Sequence, residues 1–356
     1  MHVLVCRNPG DLALEDQPLP IRGDGEVLVK PRRIGICGTD YHIYEGNQPF
    51  LSYPRVMGHE LAVEVVEVPI GSKLKIGQIC VVNPYLSCGH CVACRQGKPN
   101  CCTTISVLGV HRDGGMTGLL SLPEKNLIPA EGLGVDECAM VEFLAIGAHA
   151  IRRGATSSSD RALIIGAGPI GLGAALFASL SGARVTLLDR DQGRLDAARG
   201  LFAVDHAILA DDGVADAVRA ITAGDGFDIV FDATGNRESI ERGFNFVAHG
   251  GRYVLVSVVK GDITFTDSDF HRRELSLFAS RNAATEDFER VIDAIRAGHA
   301  PAAKWITHRT TLAGAAVDLP KWAAGRGSVI KAVIEADCRH TGEARRVPGA
   351  PVQTPM

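Results

Sequence analysis

Residues 88–102 read CGHCVACRQGKPNCC, five cysteines in fifteen positions. Thiols at this density either cross-link the chain or, as thiolates, bind a metal, and the compartment decides between the two. The opening residues, MHVLVCRNPGDLALEDQPLP, lack a basic leader followed by a long apolar run and do not read as a secretion signal. No uninterrupted apolar stretch reaches the roughly 18–20 residues that a bilayer requires. The sequence therefore points to the cytoplasm, where disulfides are rare, so the cluster reads as metal ligands. Cys6, Cys37, Cys80, Cys138 and Cys338 stand apart from it without local partners.

Two further segments carry ligand-type side chains. ICGTDYH supplies Cys37, Thr39, Asp40 and His42, and MGHE supplies His59 and Glu60. Taken singly, each has an ordinary structural explanation: a buried thiol, a capping hydroxyl, a satisfied imidazole. A catalytic zinc asks for about three protein ligands of S, N and O type, with one position open. Cys37, His59 and a carboxylate would meet that demand.

A third segment handles phosphate. GAGPIG places Gly166, Gly168 and Gly171, with Pro169 and Ile170 between the last two, after the apolar run RALII and before the helical run IGLGAALFASL. The first glycine permits a tight turn, the second lets backbone approach a pyrophosphate, and the third allows close helix–strand packing. Asp189 follows at the end of VTLLD, where a carboxylate binds ribose hydroxyls and repels a 2′-phosphate. That favours NAD over NADP, although Arg190 is a neighbour able to tolerate the phosphate. Thr234 and Gly235 in DATG fall at another strand end along the dinucleotide's path.

The elements that must position these residues fall into two textures. The first 150 residues are rich in Val, Gly and Pro, with short apolar runs such as EVLVKPRRIGIC and LAVEVVEV, and read as an antiparallel β domain. From Arg161, the runs RALII, ARVTLLD, HAILA, FDIVFDATG and GRYVLVSVV alternate with helical segments, among them QGRLDAARGLF, GVADAVRAITAG and RESIERGFNFVAH. Strands alternating with helices predict a doubly wound parallel sheet, with ELSLFAS as a sixth strand and TEDFERVIDAIRAG as a following helix. After about Ala300 the chain returns to the first domain. The polar tail CRHTGEARRVPGAPVQTPM reads as disordered.

Bulk composition is that of a soluble globular protein and excludes other classes. A chain of 356 residues suggests two domains. Thirty-seven basic against 41 acidic side chains leave a net charge of −4, with no electrostatic footprint for nucleic acid or an anionic membrane.

Together these motifs resemble the zinc-dependent medium-chain dehydrogenases, which include alcohol, sorbitol and threonine dehydrogenases. The resemblance runs from VLVKPRRIGICGTDYHIYEG through YPRVMGHE, the cysteine cluster and GAGPIGLG to ATG. It implies a GroES-like catalytic domain over 1–150 and 300–337, with a structural-zinc lobe near 84–105. A Rossmann NAD-binding domain would cover 151–299, and a disordered tail 338–356. It implies two zincs per chain. Cys88, Cys91, Cys94 and Cys102 would hold the structural one, with Cys101 a bystander. Cys37 and His59 would hold the catalytic one, with Glu60 as third ligand or exchange partner. Glu142 occupies the place of a carboxylate that contacts zinc or its water, and Phe143 stands where a proline usually follows it. Thr39 would take the alcohol proton and His42 relay it to solvent, while Asp40 would hold His59.

GNQPF, SYPRVMGHE, SVLGVHRDGG and SRNA followed by EDF look most like the bacterial hexonate 5-dehydrogenases, which oxidise L-gulonate or L-galactonate. A sugar acid calls for a fixed cation, and Arg281 and Arg112 are the candidates. Sorbitol/galactitol-type and threonine dehydrogenases remain the alternatives among enzymes. A zinc-free, crystallin-like NADPH-binding protein is the alternative of another class. The family also implies a homodimer or homotetramer.

Overall fold

The computed structural model describes residues 1–48, 51–325 and 329–336. The 338–356 tail and the last two residues of GNQPF lie outside the described residues.

The first large sheet has seven strands. Its path runs Leu127–Pro129, Ile79–Val82, Glu60–Glu67, Glu26–Ile36, Lys331–Glu335 and Ile306–Thr311, with Leu120–Pro123 added beside Glu26–Ile36. Val27, Val29, Ile34 and Ile36 turn into the core while Lys30 faces solvent, the alternation of a half-buried strand. The ladder to Glu60–Glu67 shifts register between Pro31 and Arg33, where proline lacks an N–H to donate. Lys331–Glu335 lies antiparallel to Glu26–Ile36, so residues from the far end of the chain sit beside Cys37.

The second sheet is parallel throughout, in the order His206–Leu209, Arg184–Asp189, Arg161–Ile165, Phe227–Asp232, Val247–Leu255 and Ser276–Ala279. Strand order reverses between Arg161–Ile165 and Phe227–Asp232, the switch point where a doubly wound sheet opens a crevice at its C-terminal ends. The helix Pro169–Leu180 starts there and packs against the helix Val141–Arg153.

RESIERGFNFVAH is shorter as a helix than its periodicity suggests. The helix covers Arg237–Gly243, a 3₁₀ turn spans Phe244–Phe246, and a strand begins at Val247. The buried Arg273 guanidinium donates to the carbonyls of Phe244 (3.0 Å) and Val247 (2.8 Å), satisfying groups that further helix would have used. Among the described residues, no helix is long and apolar enough to cross a membrane.

The glycine turn is the tightest point of this sheet. Gly166 has φ +99°, and a Cβ on Gly171 would stand 1.7 Å from the Gly166 carbonyl oxygen. Gly171→Ala is expected to cost about 1–3 kcal/mol of stability through forced displacement of the turn. Thermal melts with and without NAD check this: a lower midpoint and a smaller NAD-induced rise are expected, and an unchanged melt contradicts the close-approach account.

Candidate active site

Cys37 ends the Glu26–Ile36 strand and caps the helix Gly38–Tyr44. The fully buried Asp40 carboxylate accepts from the Cys37 amide at 2.8 Å and the Gly58 amide at 3.2 Å. One side chain thus fixes the backbones that carry Cys37 and His59. Its Oδ1 stands 3.9 Å from His59 Nδ1, beyond hydrogen-bond range, so Asp40 holds His59 through the chain rather than through the imidazole.

The ligand atoms of Cys37, His59 and Glu60 all lie within 4.8 Å of one another. His59 Nδ1 is buried without a hydrogen-bond partner. Burial opposes protonation of His59, yet Cys37, Asp40 and Glu142 outweigh it and hold the pKa well above the ordinary value. A pocket that draws a proton onto its own imidazole is built for a cation, and its S, N and O donors fit zinc. Glu142 lies outside this group of mutually close donors.

Glu60 opens its strand opposite Gly35, and a Cβ on Gly35 would lie 2.1 Å from Glu60 Oε2. The gap lets Lys331 reach across from the neighbouring strand, its Nζ 2.5 Å from Glu60 Oε1, with both side chains buried. Lys331 Nζ also sits 4.5 Å from the centroid of Phe143, whose ring packs against Trp305. Glu142, in the first turn of Val141–Arg153, accepts a hydrogen bond from the Tyr85 hydroxyl. Burial chiefly pushes its pKa up to about 7, and the charge of Glu60 adds to this, while His59, Tyr85 and Lys331 oppose it.

Thr39 is half-buried in the first turn of Gly38–Tyr44. His42 lies one turn further along, half-exposed, with Nδ1 3.7 Å from Glu45. The hydroxyl and the imidazole therefore stand on neighbouring turns leading from the interior to solvent.

The sulfur atoms of Cys88, Cys91, Cys94 and Cys102 form a second group within 4.8 Å, and all four are free thiols. Cys101 is exposed and outside it. Backbone hydrogen bonds from His90 and Cys91 lower Cys88 to about 7, and those from Cys94 and Thr103 lower Cys91 to about 5. Burial drives Cys94 up to about 11, so the crowded thiols cannot all ionise unaided. Four sulfurs fit a closed tetrahedral zinc, which leaves no position for substrate.

At the cofactor crevice, Gly168 caps the twelve-residue helix that Pro169 and Ile170 begin. Asp189 is buried, its Oδ2 accepting from the Ala167 amide at 2.6 Å and its Oδ1 from the Asp191 amide at 2.8 Å. The carboxylate thus ties the glycine turn to the next strand. Arg190 is exposed. Asp232 Oδ1 accepts from the Thr234 amide and hydroxyl, and the Gly235 amide donates to Ser257 Oγ at 2.8 Å. A narrow cleft joins Ala167, Gly168 and Pro169 to Arg194 and Ile330.

Residues 107–116 pack on the segment before His59: Gly114, Gly115 and Met116 donate to the carbonyls of Val56, Gly58 and Met57 at 2.8–2.9 Å. Arg55 pairs with Asp113 at 3.0 Å. The pKa of His111 is lowered by burial and then by the charges of Arg281, itself exposed, and Arg55. Arg112, beside it, is exposed.

The sequence reading missed Lys331, Tyr85, Arg55 and Arg194. Lys331 had a signal, a lone cation heading the buried run KAVIE. Arg55 also had one, its place four residues before His59.

Residues 23–132 match the alcohol dehydrogenase GroES-like domain, and residues 169–297 match the zinc-binding dehydrogenase domain. The chain is 40% identical to an L-galactonate-5-dehydrogenase of Escherichia coli K12, over 94% of this chain and 98% of that protein. It is 30% identical to a sorbitol dehydrogenase of Halalkalibacterium halodurans, over 85% of this chain and 90% of that one. A solved alcohol dehydrogenase from Escherichia coli CFT073, complexed with NADH, superposes with a TM-score of 0.88 at 30% identity, covering 94% of this chain and 99% of its own. The chain belongs to the zinc-binding, medium-chain alcohol dehydrogenase family.

Lys331→Met should strand the Glu60 carboxylate in the interior and cost about 3–5 kcal/mol of stability. Chemical denaturation checks this, with Glu60→Gln added in a double variant. The double variant should recover most of the loss, and a double no more stable than Lys331→Met alone contradicts the pairing.

Proposed function

We propose that this chain oxidises a secondary alcohol of a sugar acid of the L-galactonate or L-gulonate kind, at the 5-position, with zinc and NAD. What supports the substrate class is that the charges of both Arg281 and Arg55 bear on His111, whose loop is hydrogen-bonded to the segment that leads into His59. A planar guanidinium suits a carboxylate because its fork holds both oxygens. The similarity to an L-galactonate-5-dehydrogenase supports the same class.

When bound, zinc supplies Lewis-acid activation of an alcohol and the nicotinamide supplies a hydride acceptor. Cys37, His59 and Glu60 would hold the metal, with Asp40 keeping their backbones in place and Lys331 balancing the charge of Glu60. Thr39 would accept the alcohol proton at its hydroxyl, and His42 would deliver it to solvent. The N-terminus of Pro169–Leu180 would seat the pyrophosphate, and Asp189 would meet the adenosine ribose. Cys88, Cys91, Cys94 and Cys102 would hold the second zinc away from the chemistry. The reading includes a cytoplasmic homodimer or homotetramer; the exposed edge strand Ser276–Ala279 offers unpaired backbone to a second copy.

A neutral polyol leaves the Arg281 guanidinium without a carboxylate to hold, which distinguishes the sorbitol-type alternative. Losing a desolvated carboxylate contact costs about 2–5 kcal/mol, so Arg281→Ala should cut kcat/KM for the sugar acid by at least about thirtyfold. Sorbitol oxidation should suffer much less. Steady-state NAD reduction over a panel of aldonates, polyols and L-threonine checks this, and a wild-type preference for neutral polyols or for L-threonine contradicts it. In the same assay NAD should outperform NADP, and Asp189→Ala should narrow the gap; equal efficiency in the unmodified protein would shift the role to Arg190 or Arg194.

A further inference from the structure

A buried polar cluster outside the reaction path joins the cysteine lobe to the cofactor sheet. His149, on Val141–Arg153, and Asp287, in the first turn of Thr285–Arg296, are both buried. His149 Nδ1 lies 2.8 Å from Asp287 Oδ2. The same carboxylate accepts from Arg152 Nε (2.8 Å), Arg152 Nη2 (2.9 Å) and the Ala284 amide (2.9 Å). Burial raises the pKa of Asp287, but the bonds from Arg152 and His149 outweigh it and hold it at about 2. This carboxylate is an anion and anchors the loop that follows Ser276–Ala279.

The other face of the imidazole fixes the lobe. Asn100 lies in the 3₁₀ turn Pro99–Cys101, between Cys94 and Cys102, and is itself buried. Its Nδ2 stands 3.2 Å from His149 Nε2 and 3.0 Å from the Arg281 carbonyl. A carbonyl can only accept, so this atom is the amide nitrogen, and Nε2 must be the acceptor of its second proton. Nδ1 then faces Asp287, with Arg152 Nη2 3.1 Å from the same nitrogen. Asn282 completes the circuit, its Nδ2 donating to the Asn100 carbonyl at 3.2 Å. Asn282 has φ +55°, a left-handed conformation kept by its surroundings.

We propose that Asn100, oriented by the His149–Asp287 pair, is a positioning residue for Arg281. It docks the cysteine lobe onto the 281–282 segment and so sets where the Arg281 guanidinium meets the substrate. The lobe then governs substrate affinity as well as stability. This inference rests on the reading of Arg281 as a carboxylate partner.

The test is steady-state kinetics of the full-length holoenzyme with the sugar acid and with sorbitol, accompanied by zinc analysis and melting curves. Asn282→Gly is the cleanest variant, because glycine accepts φ +55° and only the bond to Asn100 is lost. Asn100→Ala and Asn282→Gly should each raise KM for the acid about tenfold while changing kcat less than about threefold. KM for NAD and the rates with sorbitol should hardly move. Combined with Arg281→Ala, either change should add little, since both act through the same guanidinium. Equal losses on both substrates, an unchanged KM, or additive effects in the double variants would overturn the proposal. If Asn100→Ala loses zinc or fails to fold, Asn282→Gly decides, its side chain lying outside the lobe. Should Arg281→Ala itself fail to separate acid from polyol, the substrate reading falls. If Arg281→Ala behaves as expected and the asparagine variants are silent, only the positioning role falls.

Discussion

Buried negative charge is the constraint around which this site is built. Cys37, Asp40, Glu60 and Glu142 crowd a region that excludes most water, and carboxylates there persist only where cations or hydrogen-bond donors meet them. Lys331 answers Glu60 from 271 residues away in sequence, through the space left by Gly35. The return of the chain into the first sheet is therefore part of the site's electrostatics. What Lys331, Tyr85 and the amides of Cys37 and Gly58 leave unbalanced is the field that pulls on His59, and that residual field is where a divalent metal belongs.

The two sulfur-bearing sites divide labour by the same physics. At Cys37, a sulfur is combined with an imidazole and a carboxylate, a set that would leave a bound zinc open to a substrate oxygen. At Cys88, Cys91, Cys94 and Cys102, four thiols converge, a set that would close the shell of a bound zinc and confine it to holding structure. That structure reaches further than its own loop: Asn100 carries it to Arg281 and Asn282, and the Asp287 anion carries it into Thr285–Arg296.

Much of this is legible in the sequence alone. Ligand types at short, local spacing, such as CxxC, ICGTDYH, GHE and GAGPIG, announce themselves because neighbours in sequence are neighbours in space. The parallel sheet was legible too, since fully buried strands read as continuous apolar runs between amphipathic helices. Tyr85 and Asn100 were silent because each acts across strands or lobes far apart in the chain; Lys331 and Arg55 had only a faint local signal, and nothing local named their partners. Asp40 was found but its bonds were not, because backbone amides leave no trace in a sequence. The early end of the helix at Gly243 depended on Arg273, thirty residues on.

If chemistry and structure rest on two separate zinc sites, elemental analysis joined to activity will separate them. The unmodified chain should hold two zincs. Cys37→Ser should lose one zinc and turnover while keeping its melting temperature, and Cys94→Ser should lose the other zinc together with thermal stability. A Cys37→Ser protein that retains both metals and near-normal turnover, or an unmodified protein active with no zinc, would contradict the account.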